Sequence, residues 1–188
     1  MNVAFDAVML SVYLHPAAKP PKPIVDLPAR VQLLIDDLEA AGAKIIIAAP
    51  ILSEFLVMAG AKDGPAYLAE LTNNDIFDIK PFDTMAAVEG AEMHRKAAAS
   101  GDKRSGSQSR WQVVKVDRQL VAIAKVNAVE CIYSNDDGVR KLAATAGIAC
   151  KGVEDLPAPA TDPQEPLPFE ENKPAPSRDK RRQSRPKK

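Results

Sequence analysis

Hydrophobic positions in this chain alternate between short continuous runs and longer stretches of helical periodicity. Val3, Ala4 and Phe5 form an apolar run that stops at Asp6, after which Val8, Met9, Leu10, Val12, Tyr13 and Leu14 continue as a helix. Val31, Leu34, Ile35 and Leu38 then recur on one helix face, with Pro28 suited to the first turn and Gly42 to the end. Residues 44–49 hold Ile45, Ile46 and Ile47 in a row, without polar alternation, and predict a strand buried on both faces, as in a parallel sheet. Residues 51–59 and 64–71 predict two helices parted near Gly60, residues 77–80 a short strand, and residues 84–99 a long helix that Asp83 can cap. Trp111 opens another helix, whose buried stripe is expected to comprise Val113, Val116, Leu120, Val121, Ile123, Ala124 and Val126. Residues 130–134 predict a strand, followed by a helix through Ala146, a stop at Gly147 and a small edge strand ending at Cys150. Strand and helix in alternation predict an α/β fold, three layers α/β/α around a central parallel sheet with right-handed crossovers.

Two segments break the pattern. Residues 15–28 carry Pro20, Pro21 and Pro23, which deny the backbone both ladder and helix hydrogen bonds, so a loop is expected there. Residues 100–110, SGDKRSGSQSR, contain no apolar side chain and predict an exposed loop. The chain of 188 residues, 46% hydrophobic and 27% charged, is long enough for one ordinary core, which excludes fibrous and wholly disordered classes. No apolar run approaches the roughly 18–20 residues of a spanning helix, and the N-terminus lacks a basic segment ahead of its apolar stretch, so a cytoplasmic protein with no membrane partner is expected. Cys131 and Cys150 form neither a disulfide framework nor a metal-binding pair, consistent with a reducing compartment.

The formal net charge of zero hides an asymmetry: residues 172–188 carry eight Lys or Arg against one acid, Asp179, and the remainder is acidic by the same margin. Eight of the sixteen prolines follow residue 156, a composition that cannot bury enough apolar surface to offset its ordering entropy. The expected organisation is therefore a folded domain over residues 1–156 and a disordered, Pro-rich tail over 157–188 with a basic end. That tail reads as an electrostatic arm for RNA, or as a partner for the acidic body of its own molecule.

The chemistry follows from where acids fall. The carboxyl ends of the strands in an open parallel sheet share one edge, and ligands bind in the crevice there. Asp6 ends the first strand, Glu54 lies one helical turn past the second, and Asp136 and Asp137 follow the strand ECIYS. Asp117 lies on the same turn of helix as Val113, Val114, Leu120 and Val121, positions that otherwise look buried, so it should point inward or sit at the sheet edge, and an inward carboxylate without a partner is costly. Carboxylates brought together repel unless a cation neutralises them, and all-oxygen donors without a His or Cys cluster favour Mg²⁺ or Mn²⁺ over zinc. Such a site suits phosphodiester hydrolysis.

The segments FDAVMLSVYL, PILSEFL and VDRQLVAIAKVNAVECIYSNDD, with the order of their acids, resemble the PIN domain, a family of metal-dependent ribonucleases that includes the VapC toxins. The resemblance covers roughly residues 2–155, and its most specific part is the last block. It implies a PIN-like fold in which Asp6, Glu54, Asp117 and Asp136 bind Mg²⁺ or Mn²⁺, Asp137 is an auxiliary ligand and the Ser134 hydroxyl supports the site. It implies an endoribonuclease that leaves 5′-phosphate and 3′-hydroxyl ends and, for a VapC-like toxin, an antitoxin covering the acidic pocket and a homodimer. Two departures stand out. The connection from Asp6 to Glu54 is swollen by the proline loop, and Asp137-Gly138-Val139 replaces the Asp-Phe pair that often follows the last acid.

Each acid alone has a plainer reading: Asp6 and Asp137 could cap helices, and Glu54 could face water on a helix capped by Ser53. Their joint occurrence in order carries the metal reading. Around the loop, Arg95, Lys96, Lys103, Arg104, Arg110, Lys115 and Arg118 form a basic cluster that could hold an RNA backbone, and Trp111 could stack on a base or pack in the core. Lys103, Arg104, Arg110, Lys115 and Arg118 are the expected RNA contacts. His15 and His94 do not suggest a ligand pair. The main alternative is a noncatalytic PIN-like scaffold binding RNA or protein. A phosphatase or receiver domain fits less well, because paired acids are missing from the first strand and no suitable Lys follows the last.

Overall fold

The computed structural model describes residues 1–15 and 24–159. The expected loop at Pro20, Pro21 and Pro23 and the expected disordered basic tail lie outside these residues, apart from the tail's first positions.

Chain order is β1 (Asn2–Phe5), α1 (Ala7–Leu14), α2 (Leu27–Ala40), β2 (Lys44–Ala48), α3 (Ala49–Asn73), β3 (Phe77–Lys80), α4 (Thr84–Ala99), α5 (Trp111–Val126), β4 (Val129–Tyr133), α6 (Asp137–Ala146) and β5 (Ala149–Lys151). The five strands among the described residues are parallel and lie in the order β3-β2-β1-β4-β5. Central β1 has Val3 opposite Ile45 on one side and Cys131 on the other. From β1 the chain steps outward through β2 to β3, returns to β4 on the other side of β1, and steps outward again to β5. With right-handed crossovers, this reversal places helices on both faces of the sheet. α1 packs on α2 and α3, and α5 packs on α4 and α6. The expected three-layer α/β/α architecture is what the chain forms.

The sheet is the core. Phe5, Ile45, Ile47 and Ile132 are wholly buried and Ile46 nearly so, as the unbroken apolar runs of β2 and its neighbours require. Helix ends follow local chemistry: the Asp83 carboxylate accepts from the Ala86 amide at 2.9 Å to start α4. Cys131 and Cys150 are free thiols and half-buried, and burial raises both, Cys150 to about 11, so both stay protonated near neutrality.

The two helices expected over residues 51–59 and 64–71 are the arms of α3, parted where Gly60 adopts φ 76° and ψ 175°, a backbone state open to glycine and not to a helix. Two expectations need correction. Since α3 starts at Ala49, Ser53 is inside the helix and caps nothing. On α5, Val113 and Val126 are 41% and 37% exposed, because Val114, Asp117, Val121 and Ala124 set the direction of the inward face and these two valines fall to its side.

A buried-versus-exposed contrast tests this packing. Ile47→Ala is expected to lower unfolding free energy by about 2–5 kcal/mol, read as a reduced urea midpoint at unchanged slope, whereas Val88→Ala on exposed α4 should shift it by less than about 0.5 kcal/mol.

Candidate metal centre

β1 and β4 lie side by side but are reached from opposite directions, so their carboxyl ends form the switch point where parallel sheets open a crevice. Asp6 leaves β1 there, 6% exposed, and its Oδ1 caps α1 by accepting from the Met9 amide at 2.8 Å. Ser134 leaves β4 beside it, fully buried. The Ser134 hydroxyl lowers the Asp6 carboxyl from nearby, and its oxygen accepts from the Asp136 amide at 3.1 Å, so it stands between the two acids. Asp136 caps α6, its Oδ1 accepting from Gly138 and Val139 amides at 2.6 and 3.0 Å. The capping reading of Asp6 therefore holds, and Asp136 shares it, while neither acid is removed from the crevice: a cap occupies one carboxylate oxygen.

Asp117 reaches the same place from α5. It is 6% exposed, and its Oδ2 has no hydrogen-bond partner among the described residues. Its carboxyl is pushed up to about 7, first by burial and then by the charges of Asp136, Glu54 and Asp6. Four acids from four segments thus share one field. Burial and the Asp136 charge raise Asp6 as well, against the lowering pull of Ser134 and the Met9 and Val8 amides. Glu54 stands exposed in the second turn of α3, its carboxyl raised by partial desolvation. Asp137 is exposed in the first turn of α6, where a negative charge favours the helix, and it is not among the charges felt at Asp117.

Among the described residues, no three His, Cys, Asp or Glu side chains already stand as a ligand set for a metal ion. The donor chemistry nevertheless fits a hard cation. A buried carboxylate oxygen lacks any donor, three further carboxylates repel it, and a divalent cation would relieve both penalties. Asp6, Glu54, Asp117 and Asp136 are the residues that could hold it.

The loop before α5 closes one side. A cleft of about 390 Å³ is lined by Ser107, Gln108, Asn135, Asp136, Asp137 and Lys141, among others. Lys103, Arg104 and Arg110 are exposed at or near the ends of the loop whose Ser107, Gln108 and Ser109 line it, and Lys115 is exposed on α5, its Nζ 5.6 Å from the Trp111 ring centre. Arg118, expected among the RNA contacts, is instead 5% exposed and points into the protein. Its Nη1 meets His94 Nδ1 at 2.9 Å, its Nη2 donates to the Lys103 carbonyl at 3.1 Å, and its guanidinium lies 5.6 Å from the Trp111 ring centre. Because Arg only donates, His94 Nδ1 is the acceptor. Arg118, His94 and half-buried Trp111 thus anchor the loop to α4 and α5. Sequence reasoning also missed Ser107, which is buried at 7% exposure inside a segment expected to be wholly exposed. Its only signal is a polar loop too rich in serine and glycine to single out one position.

No family model and no curated protein matches the sequence. Solved structures do resemble it. VapBC2 from Rickettsia felis, bound to a DNA fragment from its promoter, superposes with a TM-score of 0.57 at 12% identity, covering 81% of this chain and 98% of that one. The chain has a VapC-like PIN-domain fold. DNA-bound VapBC from Salmonella typhimurium gives a TM-score of 0.53 at 12% identity, covering 81% and 98%. VapBC-1 from nontypeable Haemophilus influenzae gives 0.52 at 7% identity, covering 82% and 99%. At such identities the likeness is one of VapC-like fold.

The raised Asp117 carboxyl makes a signed prediction. The group binds its proton more tightly folded, near 7, than at its ordinary value of 3.8, so metal-free protein should lose stability as pH rises between these values and level off above them. Asp6, also raised, works in the same direction. Thermal unfolding with chelator present across that range should show the fall, and Asp117→Asn should flatten it while raising the melting temperature above neutrality.

Proposed function

We propose that this chain is a Mg²⁺- or Mn²⁺-dependent endoribonuclease, built as the toxin-like half of a toxin and antitoxin pair. The observation that carries the reading is the buried Asp117 carboxylate, one oxygen without a donor, in the field of Asp6, Glu54 and Asp136. Those four side chains would hold the cation, with Ser134 fixing Asp6 relative to Asp136 and Asp137 at the mouth of the cleft. The cation would polarise a phosphoryl oxygen and supply an activated water. The chain's own part is positional. Caps on α1 and α6 fix two carboxylates against the sheet edge, and burial of Asp117 lowers the local dielectric and strengthens its hold on charge. Exposed Lys103, Arg104, Arg110 and Lys115 offset the acidic surface for an RNA backbone, and the products would carry 5′-phosphate and 3′-hydroxyl ends.

An antitoxin partner is supported by the VapBC assemblies that share the fold, and RNA as substrate by the exposed basic residues on the loop and the start of α5. No helix among the described residues is long and apolar enough to cross a membrane, in keeping with a cytoplasmic site of action.

Cleavage of an end-labelled RNA by the full-length protein tests this directly. Activity is expected with Mn²⁺ and lost with EDTA, and Asp117→Asn should reduce it by more than the roughly 10–100-fold that removal of a metal ligand's outer partner costs. Cleavage indifferent to EDTA and to Asp117→Asn would overturn the proposal, and RNA binding without cleavage would establish the scaffold alternative. A separate binding titration addresses the basic rim: Lys103→Glu with Arg104→Glu should weaken RNA binding and flatten its log–log salt dependence by about 0.7 for each phosphate no longer neutralised.

A further inference from the structure

The loop from Ser100 to Arg110 is tied down at several points. Asp102 Oδ1 accepts from the Arg104 amide at 3.1 Å and Oδ2 from the Gly106 amide, while the Ser107 amide donates to the Arg104 carbonyl at 3.0 Å. From outside the loop, Lys141 Nζ donates to the Gly106 carbonyl at 2.7 Å and Arg118 to the Lys103 carbonyl. These bonds deliver one loop side chain inward. Ser107 is 7% exposed, and its Oγ accepts from the Ser109 amide at 3.1 Å, leaving its hydroxyl hydrogen without an acceptor among the described residues.

That hydroxyl lies beside Gly138. A Cβ on Gly138 would lie 3.3 Å from Ser107 Oγ, 3.1 Å from Asp117 Oδ2 and 2.8 Å from Asp136 Oδ1. Oxygens from a loop, from α5 and from the cap of α6 therefore ring one bare Cα. Of these, Asp117 Oδ2 is an acceptor lacking a donor, and Ser107 is a donor lacking an acceptor. Any larger residue at 138 would occupy the space that these oxygens border.

We propose that Ser107 is a further residue of the acidic site, a positioning residue whose hydroxyl turns to Asp117 and orients it toward a bound cation, and that Gly138 is required because it leaves the space beside both groups open. The inference rests on the metal reading of the site. It assigns the loop a role in completing the centre, beyond walling the cleft.

The test is calorimetric titration of the full-length protein with Mn²⁺, alongside thermal unfolding of each metal-free variant. Wild type should bind. Ser107→Ala and Gly138→Ala should each weaken binding by about 10–100-fold, the usual loss when a partner of a metal ligand is removed. Ser107→Thr, which keeps the hydroxyl, should restore most of the affinity, and Ser109→Ala should bind as wild type does. Wild-type affinity in Ser107→Ala overturns the proposal and leaves the metal reading standing, and so does a Ser107→Thr variant as weak as Ser107→Ala, which would assign the loss to packing. Failure of the wild type to bind Mn²⁺ overturns both. If Ser107→Ala does not fold, Gly138→Ala decides: undiminished affinity there refutes the proposal.

Discussion

A carboxylate removed from water needs a compensating charge or hydrogen bonds, and Asp117 has neither on its Oδ2. That constraint is not a local accident of α5. The helix must present an apolar face to the sheet, and Val114, Leu120, Val121 and Ala124 bury it against the core, so Asp117, in phase with them, is carried inward. Apolar packing that stabilises the domain thus holds an unfavourable charge in place. Strain of this sort is found where the surrounding fold overdetermines a group and a ligand relieves the penalty.

The sheet explains why the other acids are there to be felt. Parallel strands put all their carboxyl ends on one edge, and the reversal between β1 and β4 opens the edge at its middle. Asp6 and Asp136 use that edge twice, each starting a helix with one oxygen and lining the crevice with its carboxylate. Ser134 stands between the two with a single buried hydroxyl. Structural and chemical duties therefore fall on the same side chains, and removing either acid would loosen a helix start as well as the site.

The loop between α4 and α5 shows how a polar segment can be ordered without a core of its own. Arg118 surrenders its charge to the interior, where His94, the Lys103 carbonyl and the Trp111 ring receive it, and Lys141 grips the loop from α6. Basic residues close in sequence consequently divide into two kinds, exposed ones on the loop and the start of α5 and a buried one that holds the backbone in place.

Much of this was legible in the residues themselves. The triple isoleucine of β2, the helical phase of α5, the cap at Asp83 and the order of Asp6, Glu54, Asp117 and Asp136 identify an alternating fold and its acidic edge, because periodicity and caps are short-range properties of the chain. What tertiary structure alone decided was which side chains meet. Arg118 and Lys115 look alike in sequence, yet one is buried and one exposed, since only the packing of α4 against α5 creates an interior for the first. Ser107 and Gly138 carried no signal beyond loop and turn composition, because their significance is a distance between segments thirty or so positions apart, and such distances are set by how helices seat on the sheet.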